Sequence, residues 1–294
     1  MLRRLVAQFA ERRADALHDR GMACSEAGDK DGALANYLRA VELDPERPAT
    51  LYNIGLVYKY RQDWRNSLKY NLRSFELQPD NESTCWNLGI AATALGDWAT
   101  ARKAWAAAGI EVEAGEGPIL DNFGMSCVRL NPDDKAEVVW VRRMDPVRAR
   151  VLSVPLPSSG VFYGDVMLHD GASTGTKVWE EKEYPIFNAF ERLERSPYGT
   201  VSVELVAPSR DDVLRLVEIG DAEELAIEDW TTVSYICKAC SEGVTHVDGE
   251  HDPVWNPDRS VGIGVHDEDA LHRVLEAWTA SGPGRYAEIT DLVR

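Results

Sequence analysis

The chain has 294 residues, which is enough for two domains of about 150 residues each. Hydrophobic residues make up 44% of it and charged residues 28%, a composition typical of a folded protein. The formal net charge is -17, and residues 119–294 carry most of it, with 17 Lys+Arg against 32 Asp+Glu. Because this charge repels phosphate backbones and anionic membranes, we expect neither nucleic-acid nor membrane binding. A basic partner or a metal cation fits the charge better.

The first residues show no apolar core of the kind that a signal peptide has. A membrane span needs an apolar run of about 18 residues, and no run in the sequence is that long. A cytoplasmic location is therefore predicted. The five cysteines are an odd number in a chain without an export signal, which indicates reduced thiols, two of which are candidates for holding a metal.

A repeat runs through the first part of the chain. Gly21, Gly55 and Gly89 are spaced 34 residues apart, and so are Pro45 and Pro79. This is the length of one helix-turn-helix unit, and successive units of that kind stack their apolar faces. Small residues on the second helices allow the two helices of each unit to cross closely. These residues are Ala33, Ser67 and Ala101.

The repeat resembles the tetratricopeptide (TPR) family over about residues 14–113, and we predict a TPR α-solenoid of three repeats as the first domain, residues 1–118. Residues 1–13 are predicted to form an additional helix that covers one end of the stack. The middle repeat departs from the family pattern at Ser67, Asn71 and Ser74, where small or aromatic residues are usual. We expect these departures to weaken its second helix.

The resemblance implies a concave face, lined by the first helix of each repeat, that binds a protein or peptide partner. Aromatic and asparagine side chains there would cover the side chains of an extended peptide and hydrogen-bond to its backbone. An alternative is that the asparagines are simply common at that position. Family members that bind chaperone C-termini use lysines and arginines, but His18, Ser83 and Asn87 occupy those positions here, which disfavours that ligand. The predicted partner-binding residues are His18, Met22, Tyr52, Asn53, Leu56, Tyr60, Trp86, Asn87 and Ile90.

Residues 119–196 are predicted to be a β-rich subdomain, a small antiparallel sheet or partial barrel, because runs rich in Val, Tyr and Phe alternate with Pro, Gly and Asp. Residues 186–193 are interpreted as a short helix. Residues 171–176 resemble a phosphate-binding loop only in being small and polar, and a hairpin turn is the preferred interpretation. The predicted strands are 125–130, 137–142, 149–156, 160–168 and 176–180.

Residues 197–294 are predicted to be a ferredoxin-like βαββαβ subdomain, with two helices on one face of a four-stranded antiparallel sheet. Its strands are placed at 200–205, 231–237, 261–265 and 286–293, and its helices near 213–217 and 271–278. Two segments, 154–156 and 163–166, resemble an uncharacterised bacterial domain family, to which no function is attached.

A metal loop is predicted at residues 237–252, because two cysteines in a CxxC arrangement are followed by two histidines. Two thiolates and two imidazoles suit a tetrahedral structural Zn²⁺. The alternatives are a redox pair of cysteines and an unliganded loop. The predicted ligands are Cys237, Cys240, His246 and His251.

Two His-Asp pairs, at His169 and His266, lie at predicted strand ends, where a solvated histidine is the usual explanation. The chain offers no nucleophile motif. The leading hypothesis is therefore a non-enzymatic bacterial adaptor that binds a partner with its repeats and carries an acidic, zinc-stabilised α+β domain. The alternatives are an immunity or antitoxin-type protein that neutralises a basic partner, and a zinc-dependent enzyme.

Overall fold

A computed structural model describes residues 2–232 and 255–294 of the chain. The fold divides into two compact units, Met1–Asp121 and Asn122–Arg294. The first unit is helical and the second contains two β-sheets. The expected order, a helical region followed by a β-rich region, is therefore confirmed.

The first unit consists of three consecutive helix pairs. The first helix is a single α-helix of 25 residues, so the prediction of a separate helix over residues 1–13 is wrong. No glycine or proline precedes Gly21, and nothing in the sequence ends the helix before then. The helices are α1 (Leu2–Glu26), α2 (Lys30–Leu43), α3 (Pro48–Tyr60), α4 (Trp64–Leu77), α5 (Glu82–Ala94) and α6 (Trp98–Ala107).

Aspartates begin the second helix of every pair. Asp29, Asp63 and Asp97 each accept a hydrogen bond from the backbone N–H three residues later, which satisfies a donor that the helix leaves unpaired. The residue before each aspartate has a positive φ, 79° at Gly28 and 70° at Gly96. Turn and cap therefore repeat with the same 34-residue period as the helices.

The two helices of each pair are closest at the repeated glycines. A Cβ atom on Gly21 would lie 2.4 Å from the Tyr37 ring, and one on Gly89 would lie 2.4 Å from the Trp105 ring. Gly55 has the same relation to the Asn71 amide, also at 2.4 Å. No side chain larger than hydrogen fits at these positions without moving its neighbour.

The middle pair replaces apolar packing by hydrogen bonds between buried groups. The Ser67 hydroxyl donates to the Gly55 carbonyl at 3.0 Å, and the Asn71 amide donates to the Ser67 carbonyl at 2.9 Å. Ser74 donates to the Pro48 carbonyl at 2.9 Å. The three departures from the repeat pattern are thus buried and paired, although Asn71 Oδ1 has no partner among the described residues.

The first sheet of the second unit is a closed five-stranded barrel. Successive strands are antiparallel, and β5 returns to pair with β1 in parallel. The strands are β1 (Met125–Leu130), β2 (Glu137–Arg143), β3 (Arg148–Val151), β4 (Val166–Trp179) and β5 (Lys182–Glu194).

Two local predictions in the barrel are wrong. Residues 186–193 are not a short helix but the centre of β5, where Ile186 pairs with Cys127 and Ala189 pairs with His169. Residues 171–176 are not a hairpin turn but part of β4, which passes them with shifts in its pairing to β5. The chain reverses instead at Glu180 and Glu181, whose φ angles of 48° and 63° suit a tight hairpin connection.

The second sheet is antiparallel throughout, with the order β7-β8-β6-β9. A core of valine, leucine and isoleucine side chains lies between this sheet and its two helices, and it includes the fully buried Trp278. The elements are β6 (Gly199–Val206), α7 (Arg210–Ala222), β7 (Ala226–Asp229), β8 (Asp258–Val265), α8 (Glu268–Ser281) and β9 (Arg285–Ile289). The strand predicted at 231–237 is wrong at its start, because β7 ends at Asp229 and Trp230–Thr232 form a short 3-10 turn; residues 233–237 lie outside the described part.

Replacing Gly89 by alanine tests the close approach in the third pair. The added Cβ would collide with the buried Trp105 ring, and the collision outweighs the gain in helix propensity, so we expect Gly89→Ala to lower the free energy of unfolding by about 1–2 kcal/mol. Gly117→Ala is the control, because nothing lies within 4 Å of its added Cβ. Chemical denaturation of the wild type and of both full-length variants measures the free energy of unfolding. The same value for Gly89→Ala as for the wild type would contradict the expectation.

Candidate protein-binding face

The predicted binding face is accessible on α1 and α3. Met22 is 40% exposed and Tyr60 is 51% exposed, while Tyr52, Asn53 and Leu56 are not buried. The Asn53 amide donates to the Met22 sulfur at 3.3 Å, which joins the first helix to the third. A thioether is a weak acceptor, so a peptide carbonyl would be a better partner for this amide.

His18 lies at one side of this face and is partly buried. Its Nδ1 is 2.8 Å from the Thr50 hydroxyl, and its ring centroid is 5.7 Å from that of Tyr37. Burial, followed by the positive charge of Arg47, lowers the pKa of His18 below its ordinary value. The imidazole is therefore neutral near neutral pH and belongs to the packing of the first two pairs.

The predicted residues on α5 are less accessible. Asn87 is 4% exposed and Ile90 is 1% exposed, while Trp86 is half-buried, with its ring centroid 5.3 Å from that of Trp105. Asn87 Nδ2 is buried without a hydrogen-bond partner among the residues that the structure describes. The accessible part of the predicted face thus lies on the first two repeats.

The predicted zinc ligands Cys237, Cys240, His246 and His251 lie outside the described residues. Within residues 2–232 and 255–294, no group of three or more His, Cys, Asp or Glu side chains is placed to hold a metal ion. No helix among these residues has both the length and the hydropathy to cross a membrane.

The prediction of a solvated histidine is wrong for His169. The side chain is fully buried, its Nδ1 is 2.8 Å from the Asp170 carbonyl, and its ring stacks on Phe187 at 4.8 Å. Burial lowers its pKa to about 4. His266 is only partly buried, and its ring centroid is 5.0 Å from that of Tyr198.

A cavity of about 1110 Å³ in the second unit was not anticipated from the sequence. Glu137, Lys177 and Glu228 are among the residues that line it, and they come from three strands far apart in the chain. No spacing pattern connects such residues, because only the closed barrel and the second sheet bring them together. None of them carries a sequence signal of its own.

Residues 21–60 match the family model of the TPR repeat. The chain thus contains the tetratricopeptide repeat, and the resemblance drawn from the spaced glycines is confirmed. No curated protein matches the chain.

Several solved structures are similar to part of the chain. The second TPR of Spaghetti (RPAP3), bound to the HSP90 peptide SRMEEVD, is 22% identical, with 35% of this chain and 94% of that chain covered and a TM-score of 0.33. The TPR2B domain of yeast Sti1, in a complex with pHsp70, is 16% identical, with 33% and 78% covered and a TM-score of 0.31. Yeast Tom70 is 26% identical, with 32% and 19% covered and a TM-score of 0.30.

The buried state of His169 predicts a pH effect on stability. The unfolded chain takes up a proton at this side chain near its ordinary pKa of 6.5, whereas the folded chain does so only at about 4. The free energy of unfolding of the wild type should therefore fall as the pH drops from 6.5 toward 4. The variant His169→Gln should lose less stability over the same range. Urea denaturation at several pH values measures both slopes, and equal slopes would count against a neutral buried imidazole.

Proposed function

We propose that the protein is a non-enzymatic adaptor that binds an extended segment of a partner protein on the α1 and α3 part of its repeat face. The observation that carries this proposal is the row formed by Met22 on α1 and by Asn53 and Tyr60 on α3, in which Met22 and Tyr60 are exposed and Asn53 is half-buried. Exposed aromatic and sulfur-containing side chains are enriched at protein interfaces, and they lie beside an amide that can bond to a peptide backbone.

The half-buried side chains between them support the same function. Tyr52 and Leu56 would supply apolar contact area to the partner, and both lie on the helix that carries Asn53. The helical backbone of α3 fixes the spacing of these three side chains before any partner binds. A preformed surface of this kind loses little entropy on binding.

Single substitutions on the face test the proposal. Peptides that bind the full-length protein would first be selected from a displayed library. We then expect Asn53→Ala and Tyr60→Ala each to weaken the binding of a selected peptide by about tenfold, because both remove a central contact. Leu77→Ala is the matched control, since Leu77 is 42% exposed but lies at the end of α4. Binding that survives both substitutions but fails with the control would place the partner elsewhere.

We propose further that residues 237–252 hold a structural Zn²⁺, and that residues 197–294 form a ferredoxin-like domain. The observed sheet order, with one helix between β6 and β7 and another between β8 and β9, supports the second assignment. The zinc proposal depends on the two cysteines and two histidines of the sequence. Four protein ligands would complete a tetrahedral site and leave no position for a substrate.

Metal content decides between the zinc site and its alternatives. We expect one zinc ion per chain in the purified wild-type protein and none in the double variant Cys237→Ser/Cys240→Ser, since thiolates are the strongest of the four ligands. Cys24→Ser should retain the metal, because Cys24 lies in α1 of the first unit. Elemental analysis of the three proteins gives the answer. Metal-free wild-type protein with an oxidisable cysteine pair would support the redox alternative instead.

A further inference from the structure

The cavity of about 1110 Å³ lies between the barrel and the second sheet of the second unit. Residues from β2 and from the end of β4 line one side, and residues from β7 and β8 line the other. Three tryptophans, two glutamates and a lysine are the groups on which its chemistry depends. They are Trp140, Trp179, Trp230, Glu137, Glu228 and Lys177.

On the barrel side of the cavity, an aromatic ring already contacts an ammonium group of the protein itself, that of Lys177. Lys177 Nζ lies 4.6 Å from the centroid of the Trp140 ring, within the range of a cation–π interaction. Trp179 and Tyr184 approach Trp140 edge-on, with centroid distances of 5.9 and 4.9 Å. Trp179 is 54% exposed, so its ring has an open surface at the rim of the cavity.

Two carboxylates, Glu137 on the barrel side and Glu228 on the side of the second sheet, are fixed by backbone hydrogen bonds. Glu137 accepts from the Leu156 N–H at 3.2 Å, and Glu228 accepts from the Val154 N–H at 2.6 Å. The Trp230 indole donates to the Val154 carbonyl at 2.8 Å. The same short segment therefore holds both glutamates and a tryptophan in place, and none of them has to be ordered by a ligand.

By formal charge, acidic side chains around the cavity outnumber basic ones by one. Four carboxylates and three basic side chains line it, and one of the basic side chains, Arg259, is paired with Asp229 at 2.9 Å. Burial, together with the negative charge of Glu228, raises the pKa of Glu137 to about 7, although the Leu156 N–H opposes this shift. Burial also raises the pKa of Glu228, while the Val154 N–H and then Lys177 oppose that rise. An additional positive charge would relieve this excess.

We propose that the cavity binds an ammonium or guanidinium group, which would lie among the tryptophan rings and beside the carboxylates of Glu137 and Glu228. Rings favour a cation that has shed part of its hydration, and fixed carboxylates favour it by direct attraction. The cation belongs either to a small amine or to a lysine or arginine side chain of a polypeptide. This site is independent of the repeat face.

Calorimetric titration of the full-length protein with N-acetyl-lysine methylamide tests the proposal. The neutral norleucine analogue is the ligand control, since it has almost the same shape without the charge. We expect the lysine compound to bind and the norleucine compound to bind at least about tenfold more weakly. Equal binding of the two compounds, or no binding of the lysine compound at millimolar concentration, would overturn the proposal. Butylamine distinguishes the sources: binding as tight as that of the lysine compound indicates a small amine, and weaker binding indicates a polypeptide.

Substitutions of two residues that line the cavity should change the affinity for N-acetyl-lysine methylamide in opposite directions. Trp179→Leu removes an exposed ring and should weaken binding several-fold, whereas Lys177→Gln removes a competing charge and should strengthen it. Val178→Ala is the control for the first, because Val178 is the neighbouring residue and is 65% exposed. A loss of affinity in both wall variants would indicate mere structural damage and would contradict the proposal.

The pH dependence of binding gives a second readout. The lysine ammonium keeps its charge from about pH 6 to about pH 8, while Glu137 loses its proton over that range. Affinity for N-acetyl-lysine methylamide should therefore rise with pH in the wild type and change less in Glu137→Gln, which retains an acceptor for the Leu156 N–H. A wild-type affinity that does not rise with pH would exclude Glu137 as a ligand of the cation.

Discussion

The close approach of two helices at a position without a side chain is the constraint on which the first unit depends. In each repeat, a large or polar side chain of the second helix lies against the backbone of a glycine in the first. The distance between the helices of a pair is therefore set by the absence of a Cβ atom. The helices that carry these glycines also carry Met22, Asn53 and Tyr60 of the binding face.

The middle repeat meets this constraint with different chemistry. Tyr37 and Trp105 fill the space beside their glycines with buried rings, but Asn71 fills it with an amide bonded to Ser67. Burying an amide costs free energy unless its hydrogen bonds are made, and one oxygen of Asn71 has no partner among the described residues. The gain is geometric, because the hydrogen bonds from Ser67 and Ser74 to carbonyl groups of α3 hold α3 and α4 in one arrangement.

The sequence predicted the parts of the fold that local spacing determines. The 34-residue period of the glycines predicted the helix pairs, and the alternation of apolar residues predicted most of the strands. The helix predicted at residues 186–193 was wrong because Ile186 and Phe187 are both buried, so both faces of β5 are apolar and the alternation is hidden. Its strand partners, in β1 and β4, decide its conformation. The family resemblance led to the predicted binding face, of which the part on α1 and α3 is accessible. The cavity depends on contacts between distant strands and could not be predicted.

The parallel pairing of β1 with β5 has a consequence for how the chain folds. Helix pairs are complete within about 34 residues, so the first unit can assemble stepwise as the chain leaves the ribosome. The barrel cannot close until the segment that contains Asn188 has been made, because this segment pairs with Arg129, at the other end of the barrel sequence. Closing so long a loop is slow, and until then the edges of β1 and β4 remain open to pairing with other chains. During synthesis of the second unit there is therefore an interval with unpaired strand edges. A chaperone that covers these edges would be of most use then.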